Sequence, residues 1–238
     1  MKSNHVGALV VEFAGIAGTG KTALMERVRN LLSQETLHVN PGSLSIWLIF
    51  RSVVSPARVF WSAWGLIAIA RAKSSSKKGL HDLWIKFVRT QIKLWGCHGA
   101  SGLSLVDHGF FQTFRSIYPW CKKYGIDWLA NQLGRSSRMP HLVVLLEADA
   151  PSIIERRANR SKRLGVRELE PPVVQRTVEG LKEYRELAMR MAGGKGGFEV
   201  MVLDNGSSGN LDELAGMVAD RIRSLTKNGS RAVVEHVR

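Results

Sequence analysis

Cysteine is nearly absent. The chain of 238 residues holds two, Cys97 and Cys121, which are too few for a disulfide framework and lack the paired spacing of a zinc site. Acid is scarce as well: 20 Asp plus Glu stand against 34 Lys plus Arg, a formal net charge of +14. Between Thr36 and Val106 the one acidic residue is Asp82. No long apolar run follows a basic stretch at the start, so no signal peptide is expected and a reducing cytoplasm is the expected compartment. A membrane span is not expected either. The apolar segment 59–70 (VFWSAWGLIAIA) is 12 residues long. As a helix it would cover about 18 Å, against a hydrocarbon core of about 30 Å. Extending it back to Val53 takes in Pro56 and Arg58.

These absences leave an ordinary globular composition, 45% hydrophobic and 23% charged, which excludes wholesale disorder. The length allows one large domain or two small ones, with a proper core. The basic excess favours anionic partners, whether nucleotides, nucleic acid or a lipid surface, and does not choose among them.

Periodicity orders the chain. Residues 8–13 (ALVVEF), 103–106 ending at Asp107, 141–147 (HLVVLLE) and 198–203 (FEVMVL) are short apolar runs of the kind that form buried parallel strands, and 36–40 is a weaker one. Helical spacing covers 21–33, with Leu24, Val28, Leu31 and Leu32 in phase, and 79–96, with Leu80, Leu83, Trp84, Phe87, Val88 and Trp95 in a stripe and Lys86, Arg89 and Lys93 off it. Further helices are expected over 110–116, 119–133, 173–191 and 211–225, with another opening at Pro151. The charged stretch 161–172 reads as loop, and the tail from Lys227 is expected to fray. Strands alternating with helices imply an α/β fold with a parallel sheet covered on both faces.

The sharpest motif lies between the first strand and the first helix. Gly15-Ile-Ala-Gly-Thr-Gly-Lys-Thr22 fits G-x-x-x-x-G-K-[ST], a phosphate-binding loop. Glycines let backbone N–H groups turn inward around phosphate oxygens, and the helix N-terminus adds partial positive charge. The residues placed on a nucleotide are Gly15, Ala17, Gly18, Thr19, Gly20, Lys21, Thr22 and Ala23. Lys21 can reach the β- and γ-phosphates, and Thr22 can offer its hydroxyl to Mg²⁺. The partner acid is Asp107 at the end of the run LSLV, where a carboxylate can hold Mg²⁺ or accept a substrate proton. His108 follows it, and a lone histidine is more often structural than catalytic.

With these residues, the chain resembles the P-loop kinase superfamily, nearest to the thymidylate kinase and nucleoside monophosphate kinase group. The loop AGIAGTGKTAL, the strand end VDHG, the segment LLEADAPSIIERRANR and the C-terminal VLDNGSSGNLDEL carry the resemblance, which covers roughly 1–35 and 100–226. It implies a three-layer domain over 1–226 with a five-stranded parallel sheet in the order 2-3-1-4-5, a lid over 156–172, and a flexible tail over 227–238. It further implies ATP and Mg²⁺ as cofactors and transfer of a phosphoryl group to a nucleotide or another small-molecule acceptor. Lys21, Asp107, Arg156 and Arg160 would be the catalytic residues, and Thr22 and Asp107 would hold the metal. Arg156, Arg157, Arg160, Lys162, Arg163 and Arg167 crowd the lid, though such a run can also be a solvated helix face paired with Glu155, Glu168 and Glu170. The chain departs from thymidylate kinases at Ala17, where they carry an acid, and at His108, where they carry arginine.

The basic segment 44–100 holds five of the seven tryptophans and is not recognisable as a thymidylate-binding region. Three readings stand: helices buried in an enlarged subdomain, an aromatic and cationic wall of the acceptor pocket, or an interfacial helix flanked by Arg71, Lys73, Lys77 and Lys78 on a membrane or partner. A phosphotransferase is the reading adopted. A non-kinase ATPase docking on a membrane or protein, and a kinase of nucleic-acid ends, are its alternatives.

Overall fold

The computed structural model describes residues 8–33, 39–40, 90–91, 93–94, 96–98, 102–107, 109–112, 139–164, 178, 185–192 and 198–235. The expected insert up to residue 89, His108, most of the expected helices 110–116, 119–133 and 173–191, and the lid beyond Leu164 lie outside these residues.

The valine-rich run after residue 8 becomes β1 (Leu9–Ala14) and takes the middle of a parallel sheet. It pairs on one side with β3 (Leu103–Asp107) and on the other with β4 (Leu142–Glu147), which in turn pairs with β5 (Glu199–Asp204). A two-residue strand, β2 (Val39–Asn40), lies beyond β3 through Val39 opposite Leu103 and Asn40 opposite Ser104, so the sheet order is β2-β3-β1-β4-β5. Four of these strands have five or six residues, and the edge at β2 rests on the two-residue pairing alone. The expected parallel α/β layout is therefore present.

Two apolar layers cover the sheet, one on each face. Val11 and Phe13 of β1 pack with Leu24, Val28 and Leu32 of α1 (Lys21–Ser33) and with Ala215, Val218 and Ile222 of α3 (Leu211–Glu235). Val10 and Ala14 pack on the opposite face with Leu94, Phe110, Phe111, Leu187 and Ile153, the last on α2 (Ala150–Leu164). This division follows from the two-residue period of a strand.

Local chemistry sets the helix ends. Asp149 caps α2: its Oδ1 accepts the Ser152 N–H at 2.8 Å and its Oδ2 the Ser152 hydroxyl at 2.9 Å, which leaves Pro151 in the first turn, where its missing N–H is harmless. Asn210 does the same for α3, accepting the Asp212 N–H at 3.0 Å. Two boundaries differ from expectation. Residues 161–164 continue α2 where a loop was expected, since Lys, Arg and Leu are good helix formers and proline enters only at Pro171. The last helix runs ten residues past Leu225, to Glu235, through the segment read as a fraying tail. Among the described residues, no helix is long and apolar enough to cross a membrane.

Candidate functional site

Six residues separate β1 from α1, and they coil into a cradle. Gly15, Gly18 and Gly20 have φ of 142°, 97° and 94°, in the left-handed half of backbone space. At Gly15 a side chain is impossible: its Cβ would stand 2.4 Å from the Leu146 carbonyl oxygen at the end of β4. The turn closes on the Ile16 carbonyl. That oxygen accepts the Thr19 hydroxyl at 2.9 Å and the Lys21 ammonium at 3.0 Å. Asn205, just past β5, donates from Nδ2 to the Thr19 carbonyl at 2.7 Å and props the loop from below.

Helix α1 begins directly at Lys21, with no acid in its first turn. Its opening N–H groups and positive dipole end are therefore not answered by a carboxylate of the helix itself, which suits an anion. Lys21 is buried, Thr22 is exposed and Ala23 is half-buried; Ala17 sits exposed at the tip of the turn.

The two candidate metal ligands meet across 85 residues of sequence. The Thr22 hydroxyl donates to Asp107 Oδ2 at 3.3 Å. Parallel pairing of β1 with β3 brings this about, since Phe13 is in register with Asp107 and the C-terminal ends of both strands lie at the same end of the sheet. The donors are a hydroxyl and a carboxylate, both hard oxygens of the kind Mg²⁺ takes from protein, with water and phosphate filling the rest of its octahedron. The residues present fit a magnesium–nucleotide pair. Among the described residues, no group of three or more His, Cys, Asp or Glu could hold a metal ion.

The arginines of α2 divide between two surfaces. Arg156 donates from Nη2 to the Gly206 carbonyl at 3.4 Å, which sets its guanidinium against the loop after β5. The same loop is held by Asp149 Oδ2, which accepts the Ser207 N–H at 3.0 Å. These N–H donors and the Ser152 hydroxyl draw the Asp149 carboxyl below its usual range. Beside Gly18 stands Arg157, whose Cγ would lie 3.1 Å from a Cβ on that glycine, next to Ile153 Cγ2 at the same distance. Burial and the neighbouring Arg160 charge both lower the affinity of Arg157 for its proton, so two like charges share this side of the loop. Arg160 is exposed. Arg157 was not among the residues singled out as catalytic from sequence. Its helical phase, one turn after Ile153, was the available signal.

Two other residues of the site escaped notice. Glu12, in the middle of β1, is fully buried, and burial pushes its carboxyl up from the usual 4.5 to about 8, against the opposing pull of the Gln112, Phe111 and Phe110 N–H groups and of Lys93. Lys93, read as lying off the apolar stripe of its helix, donates to the Asp107 main-chain carbonyl at 2.7 Å. The signal for Glu12 was an ionisable residue inside an apolar strand; for Lys93 there was none.

No family model matches the chain, and no curated protein does. Among solved structures it is similar to a deoxyadenosine kinase from M. mycoides with bound dCTP, at 13% identity and a TM-score of 0.48, over 91% of this chain and 100% of that one.

Proposed function

We propose that the protein is an ATP- and Mg²⁺-dependent phosphotransferase with a thymidylate-kinase-like layout, passing the γ-phosphoryl group to a nucleotide or another small-molecule acceptor. The observation that carries this reading is the Thr22–Asp107 contact at the mouth of a glycine cradle, at the start of a helix without an acid in its first turn. A bare anion-binding turn has no use for a carboxylate beside it. A site for a metal-bound polyphosphate does.

In this reading the N–H groups of residues 15–22 bind the β- and γ-phosphates, and the Lys21 ammonium exchanges the Ile16 carbonyl for phosphate oxygens, where it offsets charge that grows as the bond to the leaving group breaks. Thr22 and Asp107 hold Mg²⁺, which when bound supplies charge neutralisation and orientation of the phosphates. Asp107, half-buried at the end of β3, also stands where a carboxylate could accept the acceptor's proton. Arg157, with Arg160 beside it, provides positive charge over the loop. Arg156 is held at the loop after β5, on the side of the cradle propped by Asn205.

The test is a screen of nucleosides, nucleotides and small hydroxylated metabolites with ATP and Mg²⁺, scoring the phosphorylated product. Product formation supports the reading. Steady ATP loss without any product identifies an ATPase instead, and no ATP binding at all removes the assignment.

A further inference from the structure

Glu12 is out of place in β1. Val10, Val11, Phe13 and Ala14 around it are all buried and apolar. An apolar residue in its place would spare the fold an ionisable group without water. Burdens of this kind gather where a protein uses them.

The side chain occupies a defined place. Strand alternation sends it to the face opposite α1, with Val10 and Ala14. There Oε1 accepts the Gln112 N–H at 3.2 Å, and the Phe110 and Phe111 N–H groups lower the carboxyl's hold on its proton. These three residues open a helical stretch, whose first N–H groups have no partner within the helix. The approach is so close that a Cβ on Gly109 would fall 2.4 Å from Glu12 Cδ and would push the carboxyl from its place. The segment so held begins three residues after Asp107. From the other side Lys93 grips the Asp107 carbonyl at 2.7 Å, and its charge attracts the Glu12 carboxyl. The backbone that presents Asp107 to Thr22 is thus fastened at its own carbonyl by Lys93 and again just downstream by Glu12.

We propose that Glu12 and Lys93 are positioning residues that hold the Asp107 carboxylate at the Thr22 hydroxyl, and that they thereby set the affinity for a divalent cation bound with nucleotide. The inference rests on the reading of Thr22 and Asp107 as the cation's protein ligands. Neither side chain need touch the ligand: Glu12 works as a hydrogen-bond acceptor for the 110–112 backbone, and Lys93 as a donor to the Asp107 backbone.

The experiment uses the full chain and two probes, ADP without metal (with EDTA, by calorimetry) and Mn²⁺ added to the ADP-bound protein (free Mn²⁺ by electron paramagnetic resonance). Glu12→Met keeps the length of the side chain and removes the acceptor, Glu12→Gln restores an acceptor, and Lys93→Met removes the second fastening. Glu12→Met and Lys93→Met are expected to keep metal-free ADP affinity within about twofold and to bind Mn²⁺ at least about tenfold more weakly, the range for groups that orient a metal ligand. Glu12→Gln is expected to return Mn²⁺ affinity to within about threefold of the wild type. A folded Glu12→Met protein with wild-type Mn²⁺ affinity overturns the proposal, as does Glu12→Gln being as impaired as Glu12→Met, or an equal loss of metal-free ADP affinity. If Glu12→Met does not fold, Lys93→Met decides alone: unchanged Mn²⁺ affinity overturns the proposal, and a selective loss supports it. A wild-type chain that binds ADP but gains no Mn²⁺ affinity from it overturns the reading of the metal ligands and this inference with it. A wild-type chain that binds Mn²⁺ with ADP, beside variants that do so equally well, leaves that reading standing and removes only the inference.

Discussion

Lys21 and Asp107 reach the cradle from different elements, α1 and β3, and should fail differently. The Lys21 ammonium is buried and bonded to a carbonyl of its own loop, so Lys21→Ala removes a charge that can turn toward phosphate without emptying the core. Hydrogen bonds to charged groups contribute about 1.5–3 kcal/mol, so nucleotide affinity should drop by about 10- to 150-fold, measured by titration with a fluorescent ATP analogue at an unchanged melting temperature. Wild-type affinity would remove Lys21 from the site. Asp107→Asn keeps the shape of the side chain and takes away its charge. Nucleotide binding should persist while turnover falls by at least about 10²-fold, the lower end of general acid–base effects. Turnover that survives with the same Mg²⁺ requirement would show that the carboxylate has no part in the chemistry.

Helix α2 meets the phosphate loop through Ile153 and Arg157, and its cap ties it to the loop after β5. Asp149 closes the first turn of α2 and also accepts the Ser207 N–H. Asp149→Ala should destabilise the fold by removing a helix cap, visible as a lower urea midpoint. An unshifted midpoint would mean that water replaces the cap without loss. The sequence already carried much of this region. The apolar runs announced β1, β3, β4 and β5, and the glycines with Lys21 and Thr22 announced the cradle, because both signals are local. Asp107 was legible by its place at a strand end. Glu12, Lys93 and Arg157 were not, for one shared reason: each acquires its role from what it meets across the fold. A strand pattern says that residue 12 is buried and says nothing of the N–H groups that await it. A helical stripe sends Lys93 toward solvent by default. In a run of six basic residues, only the packing of Ile153 on Gly18 tells which arginine overlooks the loop.

The stability of the protein as a whole should carry the signature of the buried Glu12. Its carboxyl holds a proton up to about pH 8 when folded and to about 4.5 when unfolded. Below pH 4.5 both states are protonated and the group has no influence on the pH slope. Between 4.5 and 8 the unfolded chain binds fewer protons than the folded one, so stability falls as pH rises, by up to about 1.4 kcal/mol per pH unit. Above 8 the contribution is flat again. Glu12→Gln does not titrate. Its melting temperature relative to the wild type should therefore climb in the variant's favour from pH 5 to 8. A constant difference over that interval would mean that the carboxyl ionises as it does in water.

The hydrogen bond from Asn205 to the Thr19 carbonyl spans 186 residues. A ribosome adds about 5–20 residues per second, so Thr19 is made about 10–40 s before the side chain that props it. β1 waits likewise for β3 and then β4, its partners on either side. During synthesis the cradle therefore exists first as an unsupported glycine turn beside an unpaired, valine-rich strand that carries a carboxyl at its centre. That charge is exposed and ionised for as long as the strand is solvated, and it keeps the nascent segment from pairing with its like on neighbouring chains. The residue that burdens the finished sheet thus guards the unfinished one.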